Sequence, residues 1–375
     1  MHFAYLYGAA LLSITASGGP IEKHSYDLDT QLVGNSDRAT RDLDGFSPYL
    51  PDGFPNPNPE QVKTIQERAR GTLPQSPLPI GIGNEGITNF RLIAFNEMFE
   101  VAFFSSLIRN ITNSISGYDL GDDNGSTIEN LETILAVEEL HALGANAILA
   151  ANGIDPVQPC KYIFPVSDYE SAIALAATFT NVVLGTLQDV VGISARNSES
   201  EVARLISSVI GNEGEQEGLF RLIQQKTTPA QPFLSTSIRD FAFTAIQGFV
   251  VPGSCPGIGE IPLKTFQPLN ILAKEIQPKT QELQFSISLN DFKADIGSLS
   301  LVFMNALNPP IVKAIQNVEN NTSDNSVVFT AEFPFEEYQL HGLTISVVTN
   351  RAGPFNDISD VADATLFGPG FIEVA

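Results

Sequence analysis

Between Asn89 and Gln225 the chain runs in four long segments of helical period, and in each one the apolar stripe is broken halfway along by polar side chains. With steps of three and four residues, the first segment gives Phe90, Ile93, Glu97, Glu100, Phe104, Leu107 and Ile111. The second gives Leu131, Ile134, Glu138, His141, Ala145 and Ile148. The third reads Ala174, Ala177, Asn181, Leu184, Gln188 and Val191, and the fourth Ile206, Val209, Glu213, Gln216, Phe220 and Ile223. Such stripes face one another in a helical bundle. A carboxylate buried there costs several kcal/mol unless it is paired, protonated or bound to a metal. The alternative is misphased stripes with wet glutamates; recurrence on all four helices, with apolar neighbours on both sides, argues against it.

The second helix is delimited most clearly, by a capping-box pattern at Ser126 and Glu129 and by Asn152-Gly153 at its end. Glu138 and His141, three apart, point inward from adjacent turns. Residues 152–167 are expected to form the one long crossover, between the second and third helices, and a fifth helix is predicted from Ser237 to Phe249. After Cys255 the period shifts to two, as in Phe285-Ser286-Ile287-Ser288-Leu289, Val327-Val328-Phe329-Thr330 and Leu343-Thr344-Ile345-Ser346-Val347. The fold class is therefore α+β: a four-helix bundle plus a fifth helix over 85–255, then a β-rich domain over 256–375, with two separate cores. Residues 19–84 read as a Pro- and Gly-rich arm with one short helix from about Glu60 to Arg70.

Residues 1–18 have the layout of a signal peptide, an apolar stretch from Phe3 to Leu12 followed by small residues, although no Lys or Arg precedes it. Export predicts a secreted, extracellular or cell-wall protein, and it agrees with sequons at Asn110, Asn124, Asn320 and Asn321. In that setting Cys160 and Cys255, each beside a proline, suggest one disulfide, the alternative being two free buried thiols. With 43 acidic against 20 basic residues and no basic cluster, nucleic acid is excluded as a partner. No apolar run approaches the roughly 20 residues of a membrane span. Partners are otherwise unspecified, the cell wall or further copies of the chain being the candidates.

The interrupted stripes resemble the ferritin-like superfamily, whose di-metal pattern is one Glu on each of two helices and a Glu-x-x-His on each of the other two. Glu97 matches the first helix, Glu138 and His141 match the second in full, and Glu213 matches the fourth. Gln188 and Gln216 stand where that pattern has Glu and His, so four of six ligands remain, with Glu100 as an additional or outer carboxylate. More closely, the chain resembles the fungal late-sexual-development and stress-response proteins that carry a ferritin-like domain. Four segments support this: Gly71-Thr72-Leu73-Pro74, Asn212-Glu213-Gly214-Glu215-Gln216-Glu217-Gly218, Arg239-Asp240-Phe241-Ala242-Phe243 and Phe249-Val250-Val251-Pro252-Gly253-Ser254-Cys255-Pro256.

Two functions follow. One is a non-catalytic structural or stress- and development-associated protein with a degenerate metal site, its buried acids satisfied by Gln188, Gln216 and His141. The other is a metal-dependent redox or peroxide-handling enzyme on the partial Glu/His site. Three carboxylates cannot neutralise two divalent ions, and glutamines are poor ligands, so the cofactor is expected to be none or one transition-metal ion, Fe or Mn. No nucleophile elbow or triad is present, and His2, His24 and His341 lack ligand-spaced neighbours.

Overall fold

A computed structural model describes residues 45–121, 124–273, 275–289, 296–321 and 325–375. The leader and the first part of the arm, through residue 44, and the side chain of Asn124 lie outside the described residues. Helix α1 (Pro59–Arg68) starts on a capping box made by Asn58 and Gln61, with Pro59 at its first position. The bundle helices are α2 (Asn84–Thr112), α3 (Asn124–Ala151), α4 (Tyr169–Arg196) and α5 (Ser200–Ile223), and α6 (Arg239–Gln247) follows. Because α3 begins at Asn124, Ser126 lies inside its first turn and does not cap it.

Connections at the helix ends fix the topology. Asn152, just after α3, accepts from the N–H of Gly81 at 2.7 Å, beside the start of α2, and Gly83 N–H donates to Glu199 before α5. At the opposite end Tyr169 N–H, at the head of α4, donates to Gly117 O just past α2. Residues 152–168 thus cross the length of the bundle, and the helices run up, down, down, up. On the way, Cys160 bonds Cys255 across a sequence separation of 95, and Tyr162 bridges Phe46 and Val250.

The arm is more than a tether. Phe54 is 1% exposed and belongs to the main helical core, Ile65 is fully buried, and Arg68 pairs with Asp52 and, at 3.0 Å, with Glu139 of α3.

Beyond residue 268 come β1 (Leu269–Ile271), β2 (Gln281–Ser288), β3 (Ser300–Asn305), β4 (Ile311–Ala314), β5 (Gln316–Asn321), β6 (Ser326–Phe333), β7 (Gly342–Thr349) and β8 (Thr365–Val374). Short helices α7 (Phe335–Tyr338) and α8 (Ile358–Ala364) precede the last two strands. The strands form two antiparallel sheets ordered β1-β2-β6-β5 and β4-β3-β7-β8. Strand β6 alternates buried and half-buried residues, the mark of a sheet covered on one face. Strands β3 and β7 are buried at every position, so both faces of their sheet are covered. One face packs Phe303 against Phe285, Phe329 and Phe333 of the other sheet's neighbourhood; the other packs Val302, Ile345 and Val347 against Val182 of α4 and Phe241 of α6.

The bundle and the pair of sheets each hold a core of their own, and a further cluster joins the sheet β4-β3-β7-β8 to the bundle. The contact is close enough that a Cβ added to Gly185 of α4 would stand 2.4 Å from Ser235 O, while Ser235 itself bonds Leu343 O and Ala306 N–H of the sheet.

By length and composition 125–151 and α4 are long and apolar enough to cross a membrane, contrary to the reading from apolar runs. Their most apolar windows are 61% and 78% buried, so packing within the bundle accounts for the hydropathy.

Candidate metal centre

Midway along the bundle, α2 contributes Glu97, α3 Glu138 and His141, and α5 Glu213, and one ligand atom from each lies within 4.8 Å of all the others. Glu138 and Glu213 are fully buried, Glu97 is 1% exposed, and His141 keeps a 16% exposed edge. His141 Nδ1 stands 2.8 Å from Glu138 Oε2, 3.4 Å from Glu213 Oε1 and 3.8 Å from Glu97 Oε2. Only Glu138 is fully held: His141 meets one oxygen and Gln216 Nε2 donates to the other at 2.5 Å. Both oxygens of Glu97 and both of Glu213 are buried without a hydrogen-bond partner. Glu100, one turn from Glu97, takes a bond from Asn96 on Oε1 and has none on Oε2.

The electrostatics follow from this crowding. Burial raises the carboxyls of Glu97 and Glu138 above their ordinary value, and His141 works against that rise. Burial and then the charge of Glu138 push Glu213 up to about 7. Burial, followed by the charges of Glu213, Glu138 and Glu97, lifts Glu100 well above the ordinary carboxylate range. For His141 burial disfavours the cation, but Glu138, Glu213 and Glu97 outweigh it and carry the imidazole well above its usual value. Without an added cation, the cluster holds itself together by taking up protons.

The two glutamines part company. Gln216 does stand at the centre, as donor to Glu138. Gln188 does not: its Oε1 accepts from Thr236 Oγ1 at 3.3 Å, and it is only half-buried. Asn181, the other amide of the predicted α4 stripe, also faces away, donating to Glu217 and to Glu373 of β8 at 3.0 and 3.1 Å. The physical reason is that α4 is buried on its bundle side and its sheet side alike, so its apolar pattern has no single phase. The metal-free network expected through Gln188 is therefore not made, and no titratable side chain of α4 is in the four-residue cluster.

Sequence reasoning missed a second buried polar group one turn further along α5. Glu217 and Arg221 there meet Asn181 and Glu373, with Lys226 nearby. The spacing Glu213, Glu217, Arg221 was the available signal, since residues four apart share a helix face.

Of the remaining expected residues, Cys160 and Cys255 form the disulfide, with Cα atoms 4.3 Å apart. Asn320 and Asn321 are exposed on β5, and Asn110 is half-buried near the end of α2.

Inward carboxylates on three helices of a four-helix bundle, one in a Glu-x-x-His pair, form a cluster that could hold a metal ion, in the manner of carboxylate-bridged bundles. Residues 86–226, which span α2 to α5 and none of the sheets, match the family model described as ferritin-like domain. No curated protein matches the chain.

The donor set fits a transition-metal ion: three carboxylates and one imidazole, with unpaired oxygens on two of them. A bound ion would draw its ligands from Glu97, Glu138, His141 and Glu213, and Gln216 would orient Glu138 from behind.

Proposed function

We propose that this is an exported, development- or stress-associated protein whose bundle holds one divalent transition-metal ion, iron or manganese, and that it does not perform the chemistry of a complete two-metal centre. The observation that carries the reading is the set of four buried carboxylate oxygens on Glu97 and Glu213 that no protein donor satisfies, arrayed around His141 Nδ1. In the metal-free protein the one nearby cation is His141, 3.4 Å from Glu213 and 3.8 Å from Glu97 and hydrogen-bonded to neither. A bound ion would supply the direct partner these oxygens lack. One ion suits the charge: three carboxylates and a neutral imidazole neutralise +2 with one negative charge to spare, whereas a second ion would find no ligand on α4. Such an ion would supply Lewis acidity and, if iron or manganese, a one-electron couple.

The family reading is finer than the matched segment alone. It rests on the four quoted segments from Gly71 to Pro256, three of which lie partly or wholly in packed parts of this fold. Export rests on the N-terminal pattern, the sequons and the disulfide.

Elemental analysis of the mature protein from its native host tests the reading. At most one transition-metal ion per chain is expected, lost in Glu138→Ala. Two ions with rapid ferrous oxidation would establish a full two-metal enzyme, and a metal-free native protein would leave only a protonated polar network. The metal-dependent redox reading keeps one supporting observation, a cavity that reaches the centre. N-terminal sequencing and a glycosidase mobility shift on secreted material test export and the sequons.

A further inference from the structure

A cavity of about 680 Å³ opens beside the centre, lined by α2, α3 and α5 and by Leu187 of α4, and the chain segment 69–79 roofs it. Its walls are apolar, with Phe90, Ile93, Ile148, Leu187, Leu205 and Val209 among them. Glu97 and His141 also line it, and both belong to the buried cluster. Glu97 approaches His141 through Oε2, which leaves Oε1 as a second buried acceptor without a donor. The other charged residues on the lining, Glu201 and Arg204, are exposed residues of α5.

Two features of the walls keep the space open. Gly144, in the interior of α3, is a helix-weakening residue whose added Cβ would lie 3.6 Å from Leu73 of the roof. The roof is Pro-rich and makes no backbone–backbone hydrogen bond from Thr72 to Ile80 among the described residues. It is tied at its ends: Leu73 N–H to Gln66, and Pro79 and Gly81 to the side chain of Asn152. A strap held at both ends and free between can lift without unfolding the bundle.

We propose that this cavity is a binding site for a small, largely apolar molecule whose head group donates a hydrogen bond, a phenol or alcohol, seated with its O–H on Glu97. The walls set the body of the ligand, because a half-open, mostly apolar cleft of this size is of the ordinary range for small-molecule sites. The floor sets the head. Glu97 offers an acceptor with no donor, and Glu138 and Glu213 stand just behind it, so an anionic head of the same shape meets like charge. This inference goes beyond the metal reading and concerns the metal-free centre, because an ion on Glu97 would occupy the acceptor and attract an anionic head. The preference for a donor head over an anionic one is therefore that expected of the stripped protein.

Isothermal titration of the full mature chain, both as isolated and after metal stripping, with para-pentylphenol and para-pentylbenzoate as probes, tests it. The phenol is expected to bind and the benzoate to bind about ten- to a hundredfold more weakly, the range of one charge-assisted hydrogen bond. Gly144→Leu should abolish phenol binding by filling the space under Leu73, and Gly144→Ala, which suits a helix, should weaken it while leaving the fold intact. Glu97→Gln should narrow the gap between the two probes. No phenol binding, equal binding of the benzoate, or binding lost in Arg204→Ala and kept in Glu97→Gln would overturn the assignment; the last would seat the head at the rim. Elemental analysis of the same samples decides the metal reading separately.

Discussion

Glu213 and Glu217 lie one turn apart on α5, both buried, and differ in the company they keep. Glu213 faces Glu97, Glu138 and His141, and neither of its oxygens has a hydrogen bond. Glu217 faces the sheet, where Asn181 donates to it and to Glu373, and Arg221 and Lys226 supply positive charge. The second group is the better closed, the first the more open. Glu217 Oε1 takes a hydrogen bond from Asn181 and lies 4.0 Å from Arg221, leaving only Oε2 without a donor, whereas the one cation near Glu213 is His141 at 3.4 Å. Buried polar groups kept for packing specificity are expected to be satisfied internally, and Glu217, with one oxygen bonded by Asn181 and one without a donor, comes closer to that than Glu213 does. An unsatisfied group in the same helix is the one that awaits something from outside.

The most severe way to break this comparison is to remove the cation from the closed group. Arg221 is 2% exposed, and Arg221→Met would leave Glu217 and Glu373 buried without their guanidinium. A loss of about 3–5 kcal/mol, the cost of stripping one partner from a buried ion pair, is expected in denaturant unfolding above about pH 8, where both carboxylates are ionised. A smaller loss is expected at neutral pH, where they are largely protonated. A loss below about 1 kcal/mol at the higher pH would mean that Asn181 and Lys226 suffice.

The closed group also sets a pH dependence. Burial, and then the charge of Glu373, push Glu217 up to about 8, and burial pushes Glu373 up to about 7, against an ordinary 4.5. A folded state that holds these protons more tightly than the unfolded state is most stable in acid. Stability should therefore fall as pH rises from about 4.5 towards 8, by roughly 1.4 kcal/mol per unit for each group titrating. Glu139 and Glu213 act with the same sign, so the comparison to make is wild type against Glu373→Gln, which should flatten the slope between pH 4.5 and about 7. An unchanged slope would remove Glu373 from the account.

Much of this was legible in the residues. Helix α5 buries one side, and α2, although buried at nearly every position from Thr88 to Phe104, still carries its acids at the expected steps, so Glu97, Glu138, His141 and Glu213 meet as the period requires. The strands around Phe285, Phe329 and Ile345 were legible from their alternation. Helix α4 was not, because Val182 packs on the sheet while Val183 and Leu187 pack on the bundle. Nothing local in the sequence says that a sheet more than 100 residues later will cover its back. The same long-range contact hides the Glu217 group, whose partner Glu373 stands near the chain's end.

At the open group the sign of the stability effect reverses. Glu213→Gln replaces a buried carboxylate that has no hydrogen bond and only His141 at 3.4 Å beside it with a neutral amide, so metal-stripped protein should gain about 1–3 kcal/mol while metal retention is lost. The outcome that would dissolve the contrast is a destabilised stripped protein, since Glu213 would then be structurally paired as Glu217 is.

The smallest effect on stability gives the finest test of which amide belongs to the centre. Gln216 donates to Glu138, so Gln216→His would place an imidazole next to three carboxylates and should raise metal occupancy. Gln188 is half-buried and turned to Thr236, so Gln188→Glu puts its charge against the segment leading into α6 and adds nothing at the centre. Its effect on stability should stay within about 0.5 kcal/mol, as for substitutions away from packed or paired groups. If Gln188→Glu alone raised the metal content of the purified protein, α4 would have to rotate its carboxylate from the sheet side to the bundle side. The two-sided burial that fixes that helix between Val182 and Leu187 would then be looser than its packing implies.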